Sequence, residues 1–282
     1  MSYVDLHLHL LPGVDDGPAD EAEALSYAAA LAADGVYEAT VTPHVAHTRF
    51  PIDVASIAER TALLQDAIDQ AGIALTLHPG GEIHPSGAAD LGRSELDLIA
   101  HGPEGARWVL LEVPFGGISR LFLEACAHIR RHGFGLLIAH PERASGLLGG
   151  GLSRLRDEMA AGAVLQVSVC SLLGRHGPEA RAAGEHLIRT GLAYVLASDG
   201  HGGDRAQTLA EGSGPARAAG ASAVQTWQLT HANPTFLLRH GIAPEPPRAP
   251  RPWSARTHRN LGAARDAARR IGGTLRNLPS AA

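Results

Sequence analysis

The 282-residue chain contains no lysine; all 24 of its basic residues are arginine. Against 29 acidic residues this leaves a formal net charge of −5. That balance, with no basic strip along the chain, argues against a surface built for nucleic acid. Cysteine occurs only at Cys126 and Cys170, too few for a disulfide scaffold and consistent with a reducing compartment. No apolar run approaches the ~18 residues that span a bilayer, so no membrane insertion is expected. The opening MSYVDLHLHLLP lacks the basic start and long apolar stretch of a signal peptide. Cleavage there would remove the first histidine pair, so a cytoplasmic protein that keeps its N-terminus is expected. Also missing is a GxGxxG after the first apolar run, which leaves a dinucleotide fold without support.

What the chain has is an ordinary globular composition, 45% apolar and 19% charged, in a length that fits one large domain or two small ones. Strand-like runs at 3–10, 37–43, 74–82, 107–113, 135–140, 163–170 and 193–199 alternate with Ala- and Leu-rich stretches. The latter predict helices over 19–33, 54–71, 120–132, 152–161, 178–190 and 205–219, then a pair over 223–230 and 234–239. Asp20 is placed to cap the first helix, with Glu23 positioned for a capping box. Seven strands nearly all followed by helices imply parallel strands with helical crossovers, either a closed or nearly closed β/α barrel or an open doubly wound sheet.

From about Ile242 the pattern changes. APEPPRAPRPW reads as an extended linker. Residues 257–275 regain helical periodicity, with Leu261, Ala264, Ala268 and Ile271 on one side and arginines on the other. The expected division is a main domain over 1–241 and a Pro/Arg-rich linker with a helical tail over 242–282. Such a tail docks as a terminal helix or meets a partner subunit or an acidic surface.

Histidine is abundant, sixteen in all, and its position matters more than its number. The first strand ends in His7 and His9, the second in His44, the third in Glu82, and the fourth carries Glu112. The fifth ends in His140, and the seventh in Asp199 and His201. In a β/α barrel these C-terminal ends converge on the face that carries active sites. His7 and His9 are two apart and share a direction along a strand. Burying so many acids and imidazoles without a cation would be very costly. Mixed His and carboxylate donors without thiolates suit Mn, Fe or Zn. Eight or nine donors exceed one ion's needs, so two or three ions with a bridging carboxylate are expected. Such clusters clamp an in-line displacement at phosphorus and generate hydroxide near neutral pH.

These residues together resemble the PHP (polymerase and histidinol phosphatase) superfamily, and more closely its CpsB-type branch of bacterial capsule and exopolysaccharide tyrosine phosphatases. The resemblance rests on HLHLLPGVDDGP (7–18), VTPH (41–44), GGEI (80–83), LLEVPF (110–115), IAHPER (138–143), SLLG (171–174), SDGH (198–201) and LTHANPTFLL (229–238), in order over about 3–240. It implies a distorted (β/α)7 TIM-like barrel with a C-terminal helical extension and three divalent ions, most often Mn2+. Carried over by motif, His7, His9, Glu82 and Asp199 hold one ion. Glu82, Glu112 and His140 hold a second, with Glu82 bridging. Asp16, His44 and His201 hold the third. Asp16 is preferred to Asp15 because it directly precedes Gly17, although either suits a turn. Arg143 and Arg205 resemble the branch's phosphate anchors, and His201 or a bound water protonates a poor leaving group. The chain departs from the branch in SDGHGGDR, where SDAHN is commoner and the arginine spacing is one residue shorter, and in Val45, where a second His often follows TPH.

The resemblance thus implies a metal-dependent protein-tyrosine phosphatase whose partner is a cognate bacterial tyrosine kinase of polysaccharide export, with homo-oligomers allowed. Its rivals are a histidinol-phosphate or other small-molecule phosphatase and a catalytically weak regulatory subunit. His47 and Arg49 fit a solvated loop as well as a substrate contact, and Pro85 is expected to end the strand before His84 serves as a ligand. A cysteine-phosphatase loop is excluded, because Arg175 stands at the fifth position after Cys170 instead of the sixth.

Overall fold

The structure is a computed structural model that describes residues 2–243. The linker from residue 244 and the tail helix expected over 257–275 lie outside the described residues. Among the described residues there are nine strands: β1 (Tyr3–Leu8), β2 (Val36–Val41), β3 (His44–Val45), β4 (Thr76–Pro79), β5 (Glu82–Ile83), β6 (Trp108–Glu112), β7 (Gly135–Ala139), β8 (Val164–Ser168) and β9 (Ala193–Ala197). They form two parallel sheets, β1-β2-β4 and β3-β5-β6-β7-β8-β9.

Nine strands correspond to the seven expected runs, because two are broken. β2 and β3 are separated by Thr42 and Pro43, and Pro43 has no N–H to give a ladder. β4 and β5 are separated by Gly80 and Gly81. A Cβ on Gly80 would stand 2.7 Å from Thr40 Cγ2, and one on Gly81 2.7 Å from Val45 Cγ2. Only glycine lets the chain approach its neighbour that closely. Across the break, Glu82 N still donates to Pro43 O at 3.0 Å. The first and last strands also meet: Asp199 N donates to His7 O at 2.9 Å and His9 N to Gly200 O at 2.8 Å. Seven parallel β/α units therefore make the distorted, nearly closed arrangement, and an open doubly wound sheet is not what forms.

One cluster joins Val4 and Leu6 of β1, Trp108 and Leu110 of β6, Leu137 and Ala139 of β7, and Val195 of β9. Side chains of strands that are not neighbours can meet in this way only inside the ring. Leu237 and Ile242 belong to the same cluster, and Trp108 Nε1–H donates to Leu237 O at 2.9 Å. The opposite end of the ring is the polar one. The pairing of β1 with β2 slips in register between Asp5 and Leu8. That irregularity lets one strand send Val4 and Leu6 into the apolar interior and still deliver His7 and His9 to its polar end.

The helices cover the outside: α1 (Glu21–Ala33), α2 (Ile57–Gln70), α3 (Arg93–Ile99), α4 (Arg120–Arg131), α5 (Leu152–Ala160), α6 (Val169–Leu172), α7 (Gly177–Arg189), α8 (Leu209–Ala218), α9 (Ala223–Trp227) and α10 (Asn233–His240). In α4, Phe122, Ala125, Cys126 and Ile129 are buried at helical spacing. Each large apolar side chain so buried stabilises by about 1.5–3 kcal/mol. Ser119 caps this helix by accepting from Phe122 N, and three basic side chains complement the dipole of its last turn. In α1, Asp20 accepts from Glu23 N as expected, while the Glu23 carboxylate takes Ala19 N. The helix expected over 205–219 begins only at Leu209, after a Thr208–Glu211 capping box. The expected strand end at Cys170 is instead helical, within α6. The short α3 has no counterpart in the sequence pattern. No helix among the described residues is long and apolar enough to cross a membrane.

His101 bridges to Trp108 through backbone hydrogen bonds of 2.9 Å in both directions. Its Nε2 is buried without a hydrogen-bond partner. Burial, with His78 and Arg107 nearby, pushes its pKa down to about 3. The unfolded chain, with an ordinary imidazole near pKa 6.5, takes up the proton first as pH falls. The contribution of neutral His101 is therefore complete above pH 6.5 and is lost toward pH 3, by at most about 1.4 kcal/mol per pH unit. His101→Gln is expected to flatten the acid side of the stability profile measured by urea unfolding. Parallel profiles for the two proteins between pH 6.5 and 4 would contradict this.

Candidate metal centre

All nine expected ligands gather at the C-terminal ends of the strands. His7 lies in β1 and His9 just beyond it; His44 opens β3, Glu82 opens β5 and Glu112 closes β6. His140 follows β7, Asp199 and His201 follow β9, and Asp16 reaches in from the loop before α1. Four donor sets have ligand atoms mutually within 4.8 Å: His9, Asp16, His44 and His201; His7, His9 and Glu82; His7, His140 and Asp199; His44, Glu82 and Glu112. His140 therefore sits with His7 and Asp199 as well as with Glu82, and His44 adjoins Glu82 and Glu112 as well as Asp16.

Glu82 is the hub. Its Oε2 lies 3.5 Å from His7 Nε2, 3.4 Å from His9 Nε2 and 3.1 Å from His44 Nδ1. Its Oε1 is 2.9 Å from His140 Nε2. Asp199 Oδ1 is 3.5 Å from His7 Nε2. Asp16 Oδ1 is 3.4 Å from Nε2 of both His44 and His201. Two of these side chains leave the strand ends on backbone turned into the left-handed region, His140 at φ +30° and Asp199 at φ +51°. Such conformations cost about 1–3 kcal/mol and persist where the surroundings over-determine them.

Asp15 and Asp16 face different partners. Asp15 accepts from Gly17 N at 2.9 Å, from His44 N at 3.1 Å and from His9 Nδ1–H at 2.7 Å. It shapes the loop and orients a histidine, while Asp16 faces the donors.

The imidazoles are oriented from behind. His9 Nδ1–H is held by Asp15, and His201 Nδ1–H donates to Asp199 O at 2.9 Å. His7 Nδ1 lies 3.1 Å from Gln166 Oε1. His7 Nε2 and His9 Nε2 lie 3.2 Å apart, and both face carboxylates, a place where a cation would be held. His140 Nδ1 is also buried without a hydrogen-bond partner. Borderline nitrogen and hard oxygen donors, converging and partly orphaned, fit divalent metal ions.

The electrostatics show the same need for positive charge. Burial opposes charging of His7, yet Glu82 and Asp199 raise its pKa. Burial likewise opposes His9, which Asp15 and Glu82 hold well above the ordinary imidazole range. Against the same penalty, Asp16 and Glu82 raise His44 to about 9. Burial and the charge of Glu82 push Glu112 up to about 8. Metal ions would replace the protons that these groups otherwise take up.

The donors open into a cavity of about 380 Å3 whose wall includes Arg143, Arg205, Phe115, His47, Arg49 and Phe50. Arg143 Nη1 donates to Asp199 Oδ2 at 3.0 Å and Arg205 Nη1 to Asp16 Oδ2 at 2.9 Å. Each guanidinium thus stands beside a cluster carboxylate with further N–H groups to offer. The exposed ring of Phe115 lies 4.3 Å from the Arg143 guanidinium carbon. Phe115 belongs to the LLEVPF motif, but alternation cannot show that a residue beyond a strand folds over an arginine. Arg175 and His176 also line the cavity, brought there by the turn after α6. Cys170 is in the wall too, but burial raises its thiol pKa, the opposite of what a nucleophilic cysteine needs. His84 remains at the margin, 4.0 Å from Glu112 Oε2 and outside the four donor sets.

A ring of parallel β/α units with a histidine–carboxylate cluster at its C-terminal strand ends defines the class: a β/α barrel-like protein whose clustered side chains could hold metal ions. Comparison narrows it. The model of the capsular polysaccharide synthesis CpsB/CapC family matches residues 3–239, and the chain belongs to that family. Tyrosine-protein phosphatase YwqE of Bacillus subtilis (strain 168) is 28% identical over 198 residues, covering 70% of this chain and 77% of that protein. A chain from the crystal structures of YwqE from Bacillus subtilis and CpsB from Streptococcus pneumoniae, described as unique metal-dependent tyrosine phosphatases, matches with a TM-score of 0.72 at 26% identity. That match covers 88% of this chain and 99% of the other. A phosphotriesterase homology protein from Escherichia coli, with phosphate in its active site, shares the fold at a TM-score of 0.55 and 17% identity, covering 83% and 97%.

Gly200, between Asp199 and His201, is required by a neighbour. A Cβ there would fall 1.7 Å from Tyr27 Oη, and that hydroxyl donates to Gln207 O at 2.6 Å. Gly200→Ala is expected to lower the thermal midpoint by several degrees, whereas adding Tyr27→Leu recovers much of the loss. A double-mutant cycle without coupling between the two positions would contradict this packing argument.

Proposed function

We propose that this protein is a metal-dependent phosphomonoesterase that hydrolyses protein phosphotyrosine. Its partner in this reading is a bacterial tyrosine kinase of polysaccharide biosynthesis or export. The observation that carries the proposal is Glu82, a fully enclosed carboxylate within 3.5 Å of four imidazoles on the floor of a cavity whose wall includes Arg143 and Arg205. Family membership and the named activity of YwqE support the substrate class.

In this proposal His7, His9, Glu82 and Asp199 hold one ion, Glu82, Glu112 and His140 a second, and Asp16, His44 and His201 a third, with Mn2+ as the resident metal. When bound, such ions supply Lewis acidity toward phosphoryl oxygens and a hydroxide nucleophile near neutral pH. The chain's own residues do the rest. Arg143, steadied by Asp199 and Phe115, and Arg205, steadied by Asp16, direct N–H groups at the equatorial phosphoryl oxygens. There they offset charge in a site that needs little reorganisation. His201 has its Nδ1–H committed to Asp199 O and its Nε2 facing Asp16, which favours ligation over proton donation. A phenolate is a good enough leaving group to depart without a strong acid. The half-exposed Phe115 and Phe50 offer apolar faces to an aromatic leaving group.

Glu82→Gln is expected to lower turnover of p-nitrophenyl phosphate and of a phosphotyrosine peptide by well over about 100-fold, beyond what loss of an orienting partner costs, while the circular dichroism spectrum is retained. Unchanged turnover would remove this site from the reaction. Dialysis against a chelator is expected to abolish activity, and Mn2+ to restore it. Faster hydrolysis of histidinol phosphate than of the phosphotyrosine peptide by the restored enzyme would overturn the substrate assignment.

A further inference from the structure

β8 supplies no candidate ligand, and Gln166 in its middle is fully buried. Its side-chain oxygen meets two of the proposed ligands at once. His140 N donates to Gln166 Oε1 at 3.2 Å, and His7 Nδ1 lies 3.1 Å from the same oxygen. A backbone N–H is always a donor, so the group facing His140 N is the oxygen of the amide, not its NH2. An oxygen in that place can only accept, so the ring nitrogen of His7 that faces it carries a proton. His7 is thereby held as the Nδ1–H tautomer, with the lone pair of Nε2 directed at Glu82 and Asp199. His140 is held as well, through its backbone, at a residue whose φ of +30° needs outside support.

We propose that Gln166 is a positioning residue of the metal centre, which fixes the tautomer of His7 and the backbone of His140 through one shared acceptor. This rests on the reading of His7 and His140 as metal ligands. An outer partner of this kind raises ligand basicity, and its loss costs about 10–100-fold in metal affinity. Gln166→Leu removes the acceptor and keeps an apolar filling. Gln166→Glu keeps an acceptor for both donors.

The test is competition between each full-length variant and a chelating indicator for Mn2+ and for Zn2+, beside the circular dichroism and thermal unfolding of the metal-free forms. Gln166→Leu is expected to bind each ion about 10–100-fold more weakly than the parent with its metal-free fold intact, and Gln166→Glu to come within a few-fold of the parent. Equal losses in both variants would reduce Gln166 to packing, and no loss in Gln166→Leu would end the proposal. Nitrogen-15 NMR of the parent in its Zn2+-loaded form gives a second reading that needs no variant. A protonated Nδ1 on His7 is expected, and a protonated Nε2 would overturn the proposal whatever the variants do. A parent that binds neither ion would instead overturn the metal-centre reading.

Discussion

The structure depends on the attraction between buried carboxylates and the positive charge they require. Glu82 is enclosed, has four imidazoles around it, and lies in reach of Glu112. A carboxylate so placed is stable only if something positive sits beside it. The imidazoles can supply that charge by taking protons, and divalent ions supply it with chemistry attached. Everything at that end of the ring serves this requirement: Asp15 and Gln166 turn the rings, Arg143 and Arg205 brace two carboxylates, and the turned backbone at His140 and Asp199 aims the donors inward.

The fold divides its interior between two solvents. One end is filled by Leu6, Leu110, Leu137, Val195 and the indole of Trp108, and it is bounded by Leu237 and Ile242. The other end collects the ionisable groups. The same strands serve both ends, and the irregularities in their pairing are where they change over. β1 slips register between Asp5 and Leu8, β2 and β3 part at Pro43, and β4 and β5 part at two glycines ahead of Glu82. A uniform ladder would keep each strand to one alternation and could not combine Leu6 with His7 on the inner side.

Much of this was legible in the chain itself. The seven apolar runs and the helices between them follow from period and composition, and nearly all lie where the pattern put them. All nine expected ligands also come together, because parallel β/α units bring their C-terminal strand ends to one face whatever the details. The illegible parts are those set by contact. The short α3 has too few residues for its periodicity to stand out, and α6 replaces a strand end because β8 stops at Ser168. Asp15 and Asp16 are equivalent as letters, and only their directions separate them. Phe115 and Gln166 carry no spacing signal, since each gains meaning from a partner distant in sequence.

By itself the sequence determined the class of architecture, the identity of the donor atoms and the end of the ring at which they gather. Those depend on local periodicity and on which side chains can bind a cation. Only the tertiary structure decided which donors lie within reach of one another, which aspartate faces them and that Phe115 stands over Arg143. Those outcomes depend on distances of about 3 Å between residues far apart in the chain, and a hydrogen bond at that range fixes direction as well as proximity.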